Sequence, residues 1–182
     1  MLKSIGLEFV TKSIDLDEAL NRERSLGTEA QRLALMKNLA FGQLQPGQCL
    51  LTADTLVGID GQILGKPGSM RQAEEMISML SGRTHQVASG FCLQLRDDNA
   101  EPLMESGYQL TQVTFRQLSA AEIKAYVASK ESLDKAGAYG IQKKGAALVE
   151  SINGSFHNVV GLPLAKVIEK LLFYKVIAPR QV

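Results

Sequence analysis

Two cysteines and two histidines are all that 182 residues hold of the side chains most used as nucleophiles and soft-metal ligands. Cys49 and Cys92 show no CxxC or Cys/His spacing, so free buried thiols are expected rather than a redox pair or a zinc site. His85 and His157 stand alone, with no Ser-His-Asp or Cys-His set apparent around them, and structural or surface roles are expected of them. Charge of one sign is missing as well. Twenty basic residues against 19 acidic ones leave a net charge of +1, which does not suit a DNA or RNA partner. No apolar run approaches a membrane span and no signal peptide precedes the first elements, so no membrane role and a cytoplasmic location are expected. No Walker A sequence is present, which argues against a P-loop NTPase. Repeats and low-complexity linkers are absent too, and a single domain over 1–182 is expected.

What is present is an ordinary globular composition, 45% apolar and 21% charged. LEFVTKSIDLDE (7–18) alternates like a strand that runs into an acidic loop. Thr28 followed by Gln31 reads as a capping box, opening a helix with Leu33, Met36 and Ala40 on one face and Gly42 as its stop. QCLLTADTLVGI (48–59) is a β-rich apolar run, and Asp60-Gly61 turns it into QILGKP. Ser69 caps a helix, HQVASGFCLQL and YQLTQVTFRQL read as two long strands, and Ser119 with Glu122 forms another capping box. AALVESI reads as a strand that turns at Asn153-Gly154. A last helix after Pro163 is expected to turn Val167, Ile168, Leu171 and Leu172 inward. MLKSIG resembles the final turn of a helix, with Gly6 as its stop. This order predicts an α/β or α+β fold with a mixed sheet.

Asp54 is the residue that demands chemistry. A carboxylate in an apolar strand costs several kcal/mol when unpaired, so it must be partnered, metal-bound or catalytic; satisfaction by backbone and Thr55 is the structural alternative. Lys66 stands in a Gly-Lys-Pro corner from which it could return to the same strand end, although such a corner is usually only a turn. Lys37 lies beside Leu33 and Met36, and the alternative for it is a lysine snorkelling to solvent. Asp15, Asp17 and Glu18 form an acidic patch, either solvated or supplying a Mg²⁺ ligand. SLDKAGAYGIQKKG (132–145) sets Asp134 and Lys135 before a Gly-Ala-Tyr-Gly turn. Its Gly137 and Gly140 permit positive φ and close approach to something bulky; a solvated surface turn is the alternative. An acid in a strand, several lysines and a glycine-rich loop suit phosphoanhydride cleavage, which is mainly positioning and charge neutralisation.

LTADTLVGIDGQILGKP, AEEMISMLSGRTHQVASG, LDKAGAYGIQKKGAALVESINGS and NVVGLPL, in this order, resemble consecutive motifs of the Maf family of nucleoside triphosphate pyrophosphatases. The resemblance implies a mixed-sheet, two-lobed α/β fold related to the inosine triphosphate pyrophosphatases, with a central nucleotide cleft and often a homodimer. It also implies hydrolysis of nucleoside triphosphates to monophosphate and pyrophosphate with a divalent cation, Mg²⁺ or Mn²⁺. The family's proton acceptor falls on Asp54, its base-selectivity positions on Thr55 and Gln142, its phosphate lysines on Lys37 and Lys66, and its early-loop acid on Glu18. Asp134, Lys135, Gly137, Tyr139 and Gly140 then belong to a loop closing over the nucleotide. The Asp-Thr pair at 54–55 together with Tyr-Gly-Ile-Gln at 139–142 resembles the branch that prefers dTTP and UTP. The family's S-x-S-P-R-R segment has no counterpart here; Met1 aligns near the end of the helix that comes after it. This leaves either a late start assignment or a degenerate member. A catalytically weak nucleotide-binding regulator of cell division and septum formation is the rival expectation.

Overall fold

In the computed structural model, which describes residues 1–14, 16, 19–21, 23–97 and 102–179, five strands form one sheet in the order β2-β1-β3-β4-β5. They are β1 (Gln48–Ile59), β2 (Gln62–Leu64), β3 (Thr84–Arg96), β4 (Leu103–Phe115) and β5 (Val149–Asn153). The expected mixture of helices and strands is there, and every pairing among the described strands is antiparallel. Asp60 and Gly61, at φ 51 and 74, make the tight turn between β1 and β2, since paired positive φ values match the twist of a two-residue hairpin.

Successive residues of a strand face opposite sides, and the sheet is dressed accordingly. Leu56 of β1 and Ala88 of β3 meet Ala30 and Leu33 of α1 (Leu26–Phe41) on one side. Val57, Val87, Val113 and Phe115 face the other side, under α2 (Met70–Leu80) and α3 (Ala120–Ala128). Further along that side, Phe91 and Leu93 pack with Val167 and Leu171 of α5 (Leu164–Phe173), and Leu2 and Leu7 join them. Ser69 and the Ser119–Glu122 box cap α2 and α3 as expected, the second with both halves of the reciprocal bond formed. A short helix, α4 (Phe156–Val160), precedes α5.

Four local expectations change. Residues 7–14 form no strand; Leu7 packs on the α5 cluster, and the Lys3–Ile5 turn before it ends at Gly6 with φ 75. Helix α1 starts earlier than the Thr28–Gln31 pair implies. Ser25 is its N-cap and accepts from the Thr28 N–H at 3.3 Å, while the Thr28 hydroxyl turns back to the Ser25 carbonyl and Gln31 donates to Ser106. Leu172 points outward, because Val167 and Leu171 already fill the inward stripe of α5. Cys92 is buried but Cys49 is exposed, at the frayed start of β1.

Buried charge fixes the entry to α1. Glu29 is fully buried, accepts from the Asn21 N–H at 2.7 Å and pairs with Arg32 at 2.6 Å; Arg32 also donates to the Ala19 carbonyl. The Arg32 hydrogen bond holds the Glu29 carboxyl below the usual carboxylate range despite its burial.

Helix α1 lies backbone against backbone on the sheet at Gly90 of β3. A Cβ there would stand 2.3 Å from the Ala30 carbonyl carbon and oxygen. Gly90→Ala should therefore lift α1 and cost about 2–3 kcal/mol or more. At Gly65 an added Cβ meets nothing within 4 Å, and Gly65→Ala should stay within about 0.5 kcal/mol. Urea denaturation of both variants checks this; equal stabilities would show that the helix can give way at Gly90.

Candidate active site

Asp54 sits in the middle of β1, opposite Gly90 of β3. Strand β2 pairs only with Val57, Gly58 and Ile59, so among the described residues no strand flanks the outer edge of β1 at positions 54 and 55. A cavity of about 400 Å³ opens there, walled by β1, Lys66, the 131–143 segment and the end of α4. Strand alternation sends Asp54 and Thr55 to opposite faces around this open edge.

On the helix face, Lys37 of α1 forms an ion pair with Asp54. The ammonium that could have snorkelled into solvent is turned to the carboxylate instead. The two side chains are 21% and 12% exposed, so solvent screens the pair less than a surface one. Asn38, one residue on and fully buried, donates to the Cys92 carbonyl at 3.3 Å, and Thr52 donates to the Ala34 carbonyl at 2.7 Å. Helix and sheet are thus stitched together beside the pair, at the level of Thr52 and Cys92.

On the other face, the Thr55 hydroxyl lies 2.7 Å from the Ser89 hydroxyl. Ser89 donates to the Asn158 carbonyl at 2.7 Å, so the proton between the two hydroxyls comes from Thr55. Thr55 Oγ1 keeps acceptor capacity. Asn158 is fully buried and holds this arrangement in register: its Oδ1 accepts from the Ser89 N–H at 3.1 Å, and its amide donates to the Val87 carbonyl and to Thr111. No candidate from the sequence included Ser89 or Asn158. The cross-strand neighbour of Thr55 could have been found by pairing the strands, but Asn158 joins groups about 45–70 residues away and leaves no local signal.

The 132–145 stretch is a wall of the cavity, with its glycines answering to this chain. Gly137 adopts φ 65, its N–H donates to the Gly65 carbonyl at 3.1 Å, and a Cβ on it would come within 2.9 Å of the Val57 side chain. The bulky neighbour it accommodates is Val57. At Gly140 a Cβ would stand 2.9 Å from the Lys135 methylenes. Tyr139 lines the cavity but is buried, its ring edge-on to Phe115 and its hydroxyl 2.7 Å from His85 Nε2. Asp134 pairs with Lys135 at 2.6 Å; that hydrogen bond, with Lys66 adding to it, holds the Asp134 carboxyl below the usual range. Lys66, Gln142 and Lys143 are exposed at the rim and Glu131 is half-buried; Glu131 and Lys143 are two lining residues the sequence did not single out. Glu18 lies outside the described residues, as do Asp15 and Asp17.

The structure thus brings Asp54, Thr55, Lys66, Asp134, Lys135, Tyr139, Gly140 and Gln142 around one cavity and pairs Lys37 with Asp54. A carboxylate, an acceptor hydroxyl, an amide and several ammonium groups can hold a polyanion, read a polar ring edge and take up a proton.

Comparison with known proteins agrees with this chemistry. A family model described as Maf-like protein matches residues 1–172. A dTTP/UTP pyrophosphatase from Symbiobacterium thermophilum is 42% identical over 171 residues, covering 94% of this chain and 86% of that protein. Proteins of the same name from Bacillus pumilus and Bacillus anthracis are 41% and 39% identical over equal lengths, covering 88% and 87% of their own chains.

Burial pushes the His85 imidazole down to about 4 from an ordinary 6.5. Its folded value lies below its free value, so its contribution is complete above about pH 6.5 and fades as pH falls towards 4, by at most about 3 kcal/mol. Urea midpoints between pH 7 and pH 4 should fall more steeply for the wild type than for His85→Phe, which cannot titrate; parallel profiles would show that His85 is not held neutral.

Proposed function

The chain belongs to the Maf family, and from that premise we propose that it hydrolyses nucleoside triphosphates, dTTP and UTP foremost, to the monophosphate and pyrophosphate. The observation that carries the reading is Asp54: a carboxylate in mid-strand, ion-paired with Lys37, at the edge of a cavity ringed by lysines. In this reading Asp54 accepts a proton from the water that attacks the α-phosphorus, as the bond to the bridging oxygen breaks and pyrophosphate leaves. Lys66 and Lys37 hold phosphate oxygens, and Lys135, fastened by Asp134, adds positive potential at the rim.

Among the described residues no three His, Cys, Asp or Glu side chains cluster. A divalent ion, Mg²⁺ or Mn²⁺, fits this site through Asp54 and phosphate oxygens together, which is the common way Mg²⁺ is held. When bound it supplies charge neutralisation on the phosphates. Glu18 is the second acid proposed for it.

Base selectivity is assigned to Thr55 and Gln142. Thymine and uracil share one edge, an N–H between two carbonyls. Thr55 Oγ1, left as an acceptor by Ser89, suits that N–H, and the Gln142 amide can both donate and accept. The edge is the same with or without the thymine methyl, which accounts for a paired dTTP/UTP preference. Among the described residues no helix is long and apolar enough to cross a membrane. A cytoplasmic homodimer acting on free nucleotides, with no DNA or RNA partner, completes the proposal; the net charge of +1 supports its last element. The rival reading, a binding-only regulator of cell division, gains nothing from relatives named as pyrophosphatases.

Asp54→Asn keeps the shape but cannot take the proton. Pyrophosphate release from dTTP should fall by at least about a hundredfold, with nucleotide binding kept within about tenfold. Wild-type turnover in this variant would remove Asp54 as the base. Gln142→Ala should cost dTTP and UTP about 1–3 kcal/mol in kcat/KM and cost ATP much less; uniform losses across the three nucleotides would show that Gln142 does not read the base.

A further inference from the structure

Five non-glycine residues among those described adopt positive φ: Asp60, Lys130, Ala138, Lys143 and Lys175. Only Lys143, at φ 53, lines the cavity that holds Asp54. Left-handed backbone is disfavoured for every side chain but glycine, with Asn and Asp the usual exceptions, and such strain gathers where a site needs it. Lys143 takes this conformation where the chain enters the tight 3₁₀ segment Lys143–Leu148. Lys143 opens that segment, and Gly145 within it packs so close to the Gly140 carbonyl that a Cβ would stand 1.9 Å from the oxygen. Glycine would meet this backbone requirement at position 143 without strain; the lysine meets it with a long cation attached, directly after Gln142. Its charge is also uncommitted. Lys37 is paired with Asp54 and Lys135 with Asp134, whereas Lys143 makes no ion pair among the described residues.

We infer that Lys143 is a further substrate-binding residue, whose ammonium meets the triphosphate oxygens of a nucleotide in the Asp54 cavity. The inference rests on reading that cavity as a nucleoside triphosphate site. Strained backbone next to the base-reading position then has a purpose: it sets a fourth ammonium, beside those of Lys37, Lys66 and Lys135, on the polyanion. Because its charge is not already neutralised by a carboxylate, Lys143 should affect substrate capture more than the chemical step.

Lys143→Asn fits left-handed backbone without the charge, and Lys143→Arg restores the charge. For the Asn variant, KM for dTTP should rise about tenfold or more with kcat within about twofold. The Kd for inorganic tripolyphosphate, measured by calorimetry in the same Mg²⁺ buffer, should rise by a similar factor. The salt dependence of that binding should flatten, and the melting temperature should not fall. Lys143→Arg should stay within about threefold of wild type on each count. Tripolyphosphate binding as tight in Lys143→Asn as in the wild type would overturn the inference. A wild type that fails to hydrolyse dTTP yet binds tripolyphosphate through Lys143 would sink the pyrophosphatase reading and leave this one standing.

Discussion

The seating of α1 on β3 at Gly90 is the constraint on which the site depends. With no side chain at position 90, the backbone of Ala30 rests directly on the strand. Ala30, Leu33, Ala34, Lys37 and Asn38 keep the three-and-four spacing of one helix face, so the depth set at Ala30 carries two turns on to Lys37. Small residues near the contact and a long one at its far end bring an ammonium to a strand carboxylate without opening a gap.

The two faces of β1 then do different work. The helix face holds charge, through Lys37 and Asp54; the opposite face holds a hydrogen-bond chain of fixed direction, Thr55 to Ser89 to the Asn158 carbonyl. Both reach the cavity because β2 is too short to cover the edge beside them. The buried amide of Asn158 has every polar atom satisfied, by Val87, Thr111 and the Ser89 N–H. A buried network so complete selects a single geometry, whereas a half-satisfied one would not.

Much of this was legible in the sequence where the cause is local. Asp54 stood out because a charge interrupts an apolar strand, and the Asp60-Gly61 hairpin and the Ser69 and Ser119 caps are decided by residues within one turn. The motifs around 54–66 and 134–142 named the family and most of the cavity wall. What the sequence hid was non-local. Ser25 displaced Thr28 as the cap of α1 because Gln31, the other half of the expected box, is engaged with Ser106 on β4. Residues 7–14 alternate like a strand, yet Leu7 is taken up by the α5 cluster. Gly137 looked like room for a ligand and is room for Val57, a contact visible only once β1 and the 132–145 stretch lie side by side.

That last contact bears on the thermodynamics of capture. The middle of the loop is bonded to Gly65 and packed on Val57 by the chain's own contacts, so the wall stands before any ligand arrives. At the proposed site, the described part of this wall leaves a nucleotide the rim side chains Lys66, Gln142 and Lys143 to order rather than the backbone of the 132–145 stretch. A wall held in this way surrenders little conformational entropy when a ligand seats against it. The wall is thus a prepared surface, with the long side chains at its rim left to adapt.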